Sequence, residues 1–104
     1  MFAKENRYLT SGIDQRIPQE LQLQIWACID MRLMLTKGKI DYLQVFTLEK
    51  VGDSMLAIHH EQERPKMTNI YYINYRQEYK DILQEKIFVI DDGDHSTMLF
   101  AKEY

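Results

Sequence analysis

The chain has 104 residues, a formal net charge of −3, 45% hydrophobic and 28% charged residues, and a single cysteine, Cys28. This length fits one domain with a core of its own and is too short for two ordinary domains. One cysteine excludes an internal disulfide framework, and no apolar run approaches the roughly 20 residues that a transmembrane helix needs. Because the first residues also lack the basic and apolar regions of a signal peptide, we expect a cytoplasmic protein with no membrane partner.

Charge is unevenly distributed along the chain. Residues 1–40 hold six Lys or Arg and four Asp or Glu, a net charge of +2, whereas residues 41–104 hold seven and twelve, a net charge of −5. A net-acidic chain lacks the basic stripe that neutralises phosphate groups in most nucleic-acid-binding proteins. The charge therefore argues against nucleic acid and favours a protein partner.

The first half of the chain predicts a short strand followed by one long helix. Arg7–Thr10 is rich in strand-forming residues, and Ile13–Ile17 is predicted to be a connector. Pro18 suits the first helical position, where its missing N–H costs nothing. Apolar residues then recur at three- and four-residue spacing, which predicts a helix over residues 18–37. Its apolar face comprises Leu21, Ile25, Cys28, Ile29, Leu33 and Leu35.

Two features of this helix do not fit a simple core-facing pattern. Arg32 falls on the apolar face, so it must reach past the edge of the core or meet an acidic partner. Leu23, Ala27 and Met34 lie on the opposite side of the helix. Either the N-terminal arm covers these three side chains, or they form a surface for association with a second copy or with another protein.

The second half of the chain is dominated by strand patterns. Tyr42–Val51 and Ser54–Gln62 flank a Gly-Asp turn and are predicted to form a hairpin. Asn69–Tyr75 is predicted to be a further strand. Residues 76–85 show helical spacing over a span too short for a stable helix, so a loop with one helical turn is expected there.

The strongest turn signal lies near the C-terminus. Lys86–Asp91 and Ser96–Phe100 are two strand-like segments around an Asp-Gly pair, and Gly93 tolerates the positive φ that a tight turn requires. Together these elements predict an α+β fold, with one long helix packed on a mainly antiparallel sheet of about five strands. Residues 1–104 are expected to form a single domain.

Three segments are similar to a known protein family: KIFVIDDGDHSTML at 86–99, NRYLTSGI at 6–13 and DYLQVFTLE at 41–49. They resemble the domain of unknown function 960 family, which consists of small uncharacterised proteins from low-GC Gram-positive bacteria and their phages. The resemblance extends over nearly the whole chain. It implies a cytoplasmic single domain, and it brings no activity, cofactor or site residue with it.

The C-terminal turn gathers the densest set of side chains capable of chemistry, and one hypothesis is a metal site at this turn. Carboxylate and imidazole groups are common metal ligands, but the spacing matches neither an EF-hand loop nor HExxH. His59 or His60 would have to converge on the turn from another strand. The alternative is structural, because aspartate caps turns through the backbone; we favour it and predict no cofactor. The residues concerned are Asp91, Asp92, Asp94 and His95.

The sequence contains no clear catalytic signature. Cys28 lies on the apolar helix face, where cysteine behaves as a small hydrophobic residue, and no base lies near it in the sequence. No phosphate-binding glycine loop and no Ser-His-Asp pattern is present.

Tyr71, Tyr72 and Tyr75 make one strand rich in tyrosine. Such residues serve protein interfaces, stack on nucleic-acid bases, or simply sit in a sheet with solvated hydroxyl groups. The sequence favours a non-enzymatic protein-interaction or regulatory module. The alternatives are a metal-binding module or metal-dependent enzyme at the C-terminal turn, and a single-strand nucleic-acid binder that uses the tyrosines.

Overall fold

The computed structural model describes residues 1–104 and contains a six-stranded sheet with two α-helices. The strands are β1 (Arg7–Leu9), β2 (Leu43–Val51), β3 (Met55–Glu63), β4 (Lys66–Asn74), β5 (Lys86–Asp91) and β6 (Ser96–Phe100). The helices are α1 (Ser11–Arg16) and α2 (Gln19–Leu35). Short 3-10 helices occupy Lys4–Asn6, Gln77–Ile82 and Ala101–Glu103. No helix is both long and apolar enough to cross a membrane.

The strand order in the sheet is β1-β6-β5-β2-β3-β4. Every neighbouring pair is antiparallel except β1 and β6, which run parallel with Arg7 aligned to Ser96. The predicted α+β fold with a mainly antiparallel sheet is confirmed, and the number of strands is corrected from about five to six. The three-residue β1 pairs with a strand from the far end of the chain, so no local pattern in the sequence reports that pairing.

Two elements differ from the sequence prediction by more than two residues. The connector expected at Ile13–Ile17 lies largely in α1, whose first turn is capped by the Thr10 hydroxyl oxygen accepting a hydrogen bond from the Ile13 amide at 3.2 Å. Six residues are too few to show a helical period. β4 begins at Lys66, three residues earlier than expected. The helical turn expected within 76–85 is present as the 3-10 helix at Gln77–Ile82.

The sheet has an inner face covered by the helices and an outer face open to solvent. Alternation along β5 shows the division: Ile87 and Val89 are buried on the inner face, whereas Phe88 and Ile90 are half-buried on the outer face. A cluster of nineteen buried hydrophobic residues fills the space between the inner face and α2. The packing follows from the period of two in the strands and the wide apolar side of α2.

Candidate functional site

The outward side of α2 is exposed in the folded chain. Leu23 and Met34 are 61% and 67% exposed, and Ala27 lies in line with them. We call these three residues the α2 stripe. Met31 (40% exposed) and Leu35 (60% exposed) are turned roughly 60–100° around the helix axis from the stripe, and we call them the α2 flank.

The N-terminal arm, residues 1–9, packs on a part of α2 outside the stripe. The Arg7 guanidinium forms an ion pair with the Asp30 carboxylate and lies 4.9 Å from the centre of the Trp26 ring. The arm is held in this place at its start, because the Phe2 carbonyl accepts a hydrogen bond from Arg7 at 2.9 Å. Coverage of the α2 stripe by the N-terminal arm, which the sequence left open, is therefore wrong.

The three tyrosines of the predicted platform do not share one surface. Tyr72 is 59% exposed on the outer face. Tyr71 is half-buried on the inner face, where burial raises the pKa of its hydroxyl. Tyr75 packs edge-on against Tyr79, with ring centres 6.2 Å apart, and the Lys50 ammonium lies 4.7 Å from its ring. A continuous stacking surface for bases is absent from this strand.

The aspartates of the β5–β6 turn bind backbone amides. One oxygen of Asp91 accepts a hydrogen bond from the Phe2 amide at 2.6 Å, and the other accepts one from the Gly93 amide at 2.8 Å. Asp92 accepts hydrogen bonds from the amides of Asp94 and His95, both at 3.0 Å. These two amides hold the pKa of Asp92 below its usual value. The geometry is that of a capped turn, and Gly93 has the positive φ expected of it, +101°.

His60 does not lie near this turn. His60 pairs with Phe46, whereas Asp91 is level with Tyr42, two strands away in the sheet. Four residues along β2 and two strand spacings across the sheet separate them by about 16 Å. His95 is half-exposed and contacts the Asp92 carboxylate at 3.2 Å. No three His, Cys, Asp or Glu side chains are grouped so as to hold a metal ion.

A buried polar cluster lies between α2 and the sheet, and most of its residues could not be recognised from the sequence. Arg32, which is completely buried, donates hydrogen bonds to the Gln44 side-chain oxygen (3.1 Å), the His60 carbonyl (2.9 Å) and the Asn69 side-chain oxygen (2.6 Å). The His60 Nε2 contacts the same Gln44 oxygen at 2.6 Å. The Gln44 Nε2 donates a hydrogen bond to the Gln62 side-chain oxygen at 2.9 Å. The cluster therefore ties α2 to β2, β3 and β4.

Arg32 is fully buried and meets neutral oxygens in this cluster, so both alternatives from the sequence, a reach past the core edge and an acidic partner, are corrected. No carboxylate lies within ion-pair distance of its guanidinium. Burial, and then the nearby Arg32 charge, lower the pKa of His60 to about 3, so its imidazole is neutral at neutral pH. In the sequence, only the position of Arg32 on the apolar face of the predicted helix pointed to this cluster. Nothing in the sequence identified the residues that Arg32 contacts.

Cys28 is buried against the same region. Burial raises the pKa of its thiol to about 11, an effect that the Arg32 charge partly offsets. The thiol is therefore protonated at neutral pH and closed to solvent, which are poor conditions for a nucleophile. Two shallow grooves of about 680 and 650 Å³ lie elsewhere on the surface, and none of the predicted site residues lines them.

The fold and the exposed helix define a class of small α+β proteins in which one long helix covers a mostly antiparallel sheet. Residues 6–103 match the family described as staphylococcal protein of unknown function, domain of unknown function 960, and the chain belongs to this family. It is similar to the crystal structure of a protein of unknown function from Enterococcus faecalis, with 27% identity and a TM-score of 0.80. That similarity covers 99% of this chain and 94% of the other. No protein with a curated description matches the sequence.

These comparisons confirm the resemblance that three segments of the sequence indicated, and they support a bacterial origin. Neither the family description nor the similar structure names an activity or a ligand.

Proposed function

We propose that this chain is a non-enzymatic protein-interaction module whose binding surface is the α2 stripe. The exposure of Leu23 and Met34 carries the proposal. Both are large apolar side chains on one line of a well-packed helix, and covering them releases ordered water without rearranging the core. The non-enzymatic part is supported by the state of the titratable groups, since the Cys28 thiol is buried and Asp91 and Asp92 are occupied by backbone amides.

The partner that fits this stripe is an amphipathic α-helix of another protein. Leu23 and Met34 form two ridges, and the small Ala27 side chain between them leaves room for a side chain of the incoming helix. Beyond the end of α2, Lys37 and Lys39 are exposed and form no ion pair. A partner helix with apolar residues at helical spacing and carboxylates at the end over these lysines would complement both features.

Site-specific photo-crosslinking in the host cell tests this proposal. A photoreactive residue at position 27 is expected to capture one partner through an amphipathic helical segment, whereas the same residue at Asp53, in the exposed β2–β3 turn, captures none. The purified partner should bind the wild-type chain and lose at least tenfold in affinity to Leu23→Glu. Val51→Glu makes the same kind of change at an exposed apolar position of β2, away from the stripe, and should leave binding unchanged.

Two results would overturn the proposal. Equal capture from positions 27 and 53 would show that the stripe is not a specific surface. A crosslinked product made of two copies of this chain would assign the stripe to self-association instead of a foreign helix.

A further inference from the structure

The two edges of the sheet are built differently. β1, at one edge, has three residues and lies between a 3-10 helix and the loop into α1. β4, at the other edge, runs for nine residues and pairs with β3 without a bulge. Proteins usually blunt an exposed edge with short strands, prolines, bulges or charged side chains. β4 contains no proline and no bulge, and its only charged residue is Lys66 at the first position.

The register of the β3–β4 hairpin identifies the free backbone groups of β4. The Tyr75 amide donates to the Ser54 carbonyl at 2.8 Å, directly after the last residue of the strand. Because antiparallel pairing alternates along a strand, the odd-numbered residues of β4 bond to β3, and the even-numbered residues direct N–H and C=O groups away from the sheet. The outward-directed set is Lys66, Thr68, Ile70, Tyr72 and Asn74.

We propose that β4 pairs antiparallel with β4 of a second copy of this chain, about a two-fold axis at Ile70, to form a continuous twelve-stranded sheet. In this register Ile70 lies opposite Ile70 of the second copy, and Thr68 lies opposite Tyr72. It is the register in which all nine residues of both strands overlap, and it forms about ten inter-chain N–H···O=C hydrogen bonds. Lys66 lies opposite Asn74, so no like charges face each other.

The position of α2 favours a second copy of this chain over a foreign strand as the partner of the β4 edge. Arg32, near the end of α2, bonds to Gln44 of β2, to the His60 carbonyl of β3 and to Asn69 of β4, so this end of α2 lies over the part of the sheet that ends at the β4 edge. Along the strand direction, Arg32 therefore lies within one residue of Ile70, where the two-fold axis passes. The axis places the α2 flanks of the two copies beside each other, roughly 10–14 Å apart between helix axes.

The α2 flank fits this neighbour. Arg7 of β1 contacts Trp26 and Asp30 on one side of α2. Met31 and Leu35 lie on the other side of the helix, toward β4, and both are substantially exposed. Across the two-fold axis Met31 faces Met31 of the second copy, and Leu35 faces the first half of its α2. A foreign peptide paired to β4 would leave both residues in water, whereas a second copy covers the strand edge and the helix flank together. The α2 stripe points away from the sheet and stays free, so this inference does not depend on the proposed function.

Engineered cysteines and molar mass test the register directly. Sedimentation equilibrium of the purified chain should give twice the 12.5 kDa chain mass. Under oxidising conditions Ile70→Cys should form an inter-chain disulfide, because opposed residues of a hydrogen-bonded antiparallel pair have Cα atoms about 5.5 Å apart. Thr68→Cys and Tyr72→Cys should each remain single, and a mixture of the two should crosslink.

Ile70→Lys should give a folded monomer, because it sets two ammonium groups opposite each other on the axis. Val51→Lys is the matched control at an exposed apolar position of β2, and it should remain a dimer, as should Leu23→Glu. Monomer at every concentration up to the millimolar range would overturn the inference. A dimer that persists in Ile70→Lys and gives no Ile70→Cys disulfide would also overturn the inference. Neither result bears on the proposed function, which crosslinking from position 27 tests separately.

Discussion

Acidification should destabilise this protein through His60 well before its carboxylates are protonated. In the folded chain the imidazole is buried between Gln44 and the Phe46 ring, whose centre lies 4.3 Å from its own, and its pKa is lowered to about 3. In the unfolded chain the same group titrates near its ordinary value of about 6.5. Between these two values the unfolded state binds a proton that the folded state excludes.

The size of the effect follows from proton linkage. Above the unfolded-state pKa both states are neutral, so the contribution of His60 to the free energy of unfolding is fully present. As the pH falls below about 6.5, that free energy decreases by up to about 1.4 kcal/mol per pH unit until the folded-state pKa is reached. Between pH 7 and pH 5 the expected loss is about 2 kcal/mol, a large part of the roughly 5–15 kcal/mol stability of a typical domain.

Urea unfolding at several pH values between 7 and 5 measures this loss. The matched control is His59→Gln, which removes the neighbouring histidine from the outer face and should keep the full dependence on pH. His60→Gln should be less stable at pH 7, and its stability should change little down to pH 5. If His60→Gln and wild type lost the same free energy across this interval, the reasoning from burial would be refuted.

Two further comparisons test the terminal hairpin by chemical denaturation. Gly93→Val should lower the free energy of unfolding by about 1–2 kcal/mol, because its φ of +101° strains any residue with a Cβ, although no atom lies within 4 Å of that position. Asp94→Asn, one residue away and exposed, should change stability by less than about 0.5 kcal/mol, and a larger effect would show that this carboxylate has a partner. Ile87→Ala should cost about 2–5 kcal/mol, because it opens a cavity in the buried core. Phe88→Ala, on the half-buried outer face, should cost clearly less; equal losses would contradict the assignment of the two faces.

The elements with a long hydrophobic period could be predicted from the sequence. The apolar face of α2 repeats over four turns, and the hairpins β2–β3 and β5–β6 each have apolar strand segments on both sides of a glycine-containing turn. α1 and the pairing of β1 could not be predicted. The first is shorter than two helical periods, and the second depends on a contact between opposite ends of the chain.

The candidate functional sites could also be predicted only in part from the sequence. Helical geometry alone placed Leu23, Ala27 and Met34 on one line, but only the folded chain shows that the N-terminal arm leaves them uncovered. The aspartates of the turn were ambiguous, because metal ions and backbone amides are bound by the same carboxylate oxygens. The polar cluster was hidden for another reason. Gln44, His60 and Asn69 come from three strands, and each looks like an isolated polar residue until the sheet brings them to Arg32.

The parallel pairing of β1 with β6 has a consequence for the order in which the chain folds. β2, β3 and β4 are joined by short turns, so they can assemble through contacts that are close in sequence. β1 has only β6 as a neighbour, and this pairing spans nearly the whole chain, so it closes the longest loop of any strand pair in the sheet. The hydrogen bond from the Phe2 amide to the Asp91 carboxylate forms at the same stage as the β1–β6 pairing. The arm and β1 therefore join a sheet that is already formed, and they can detach from it without unpairing the central strands.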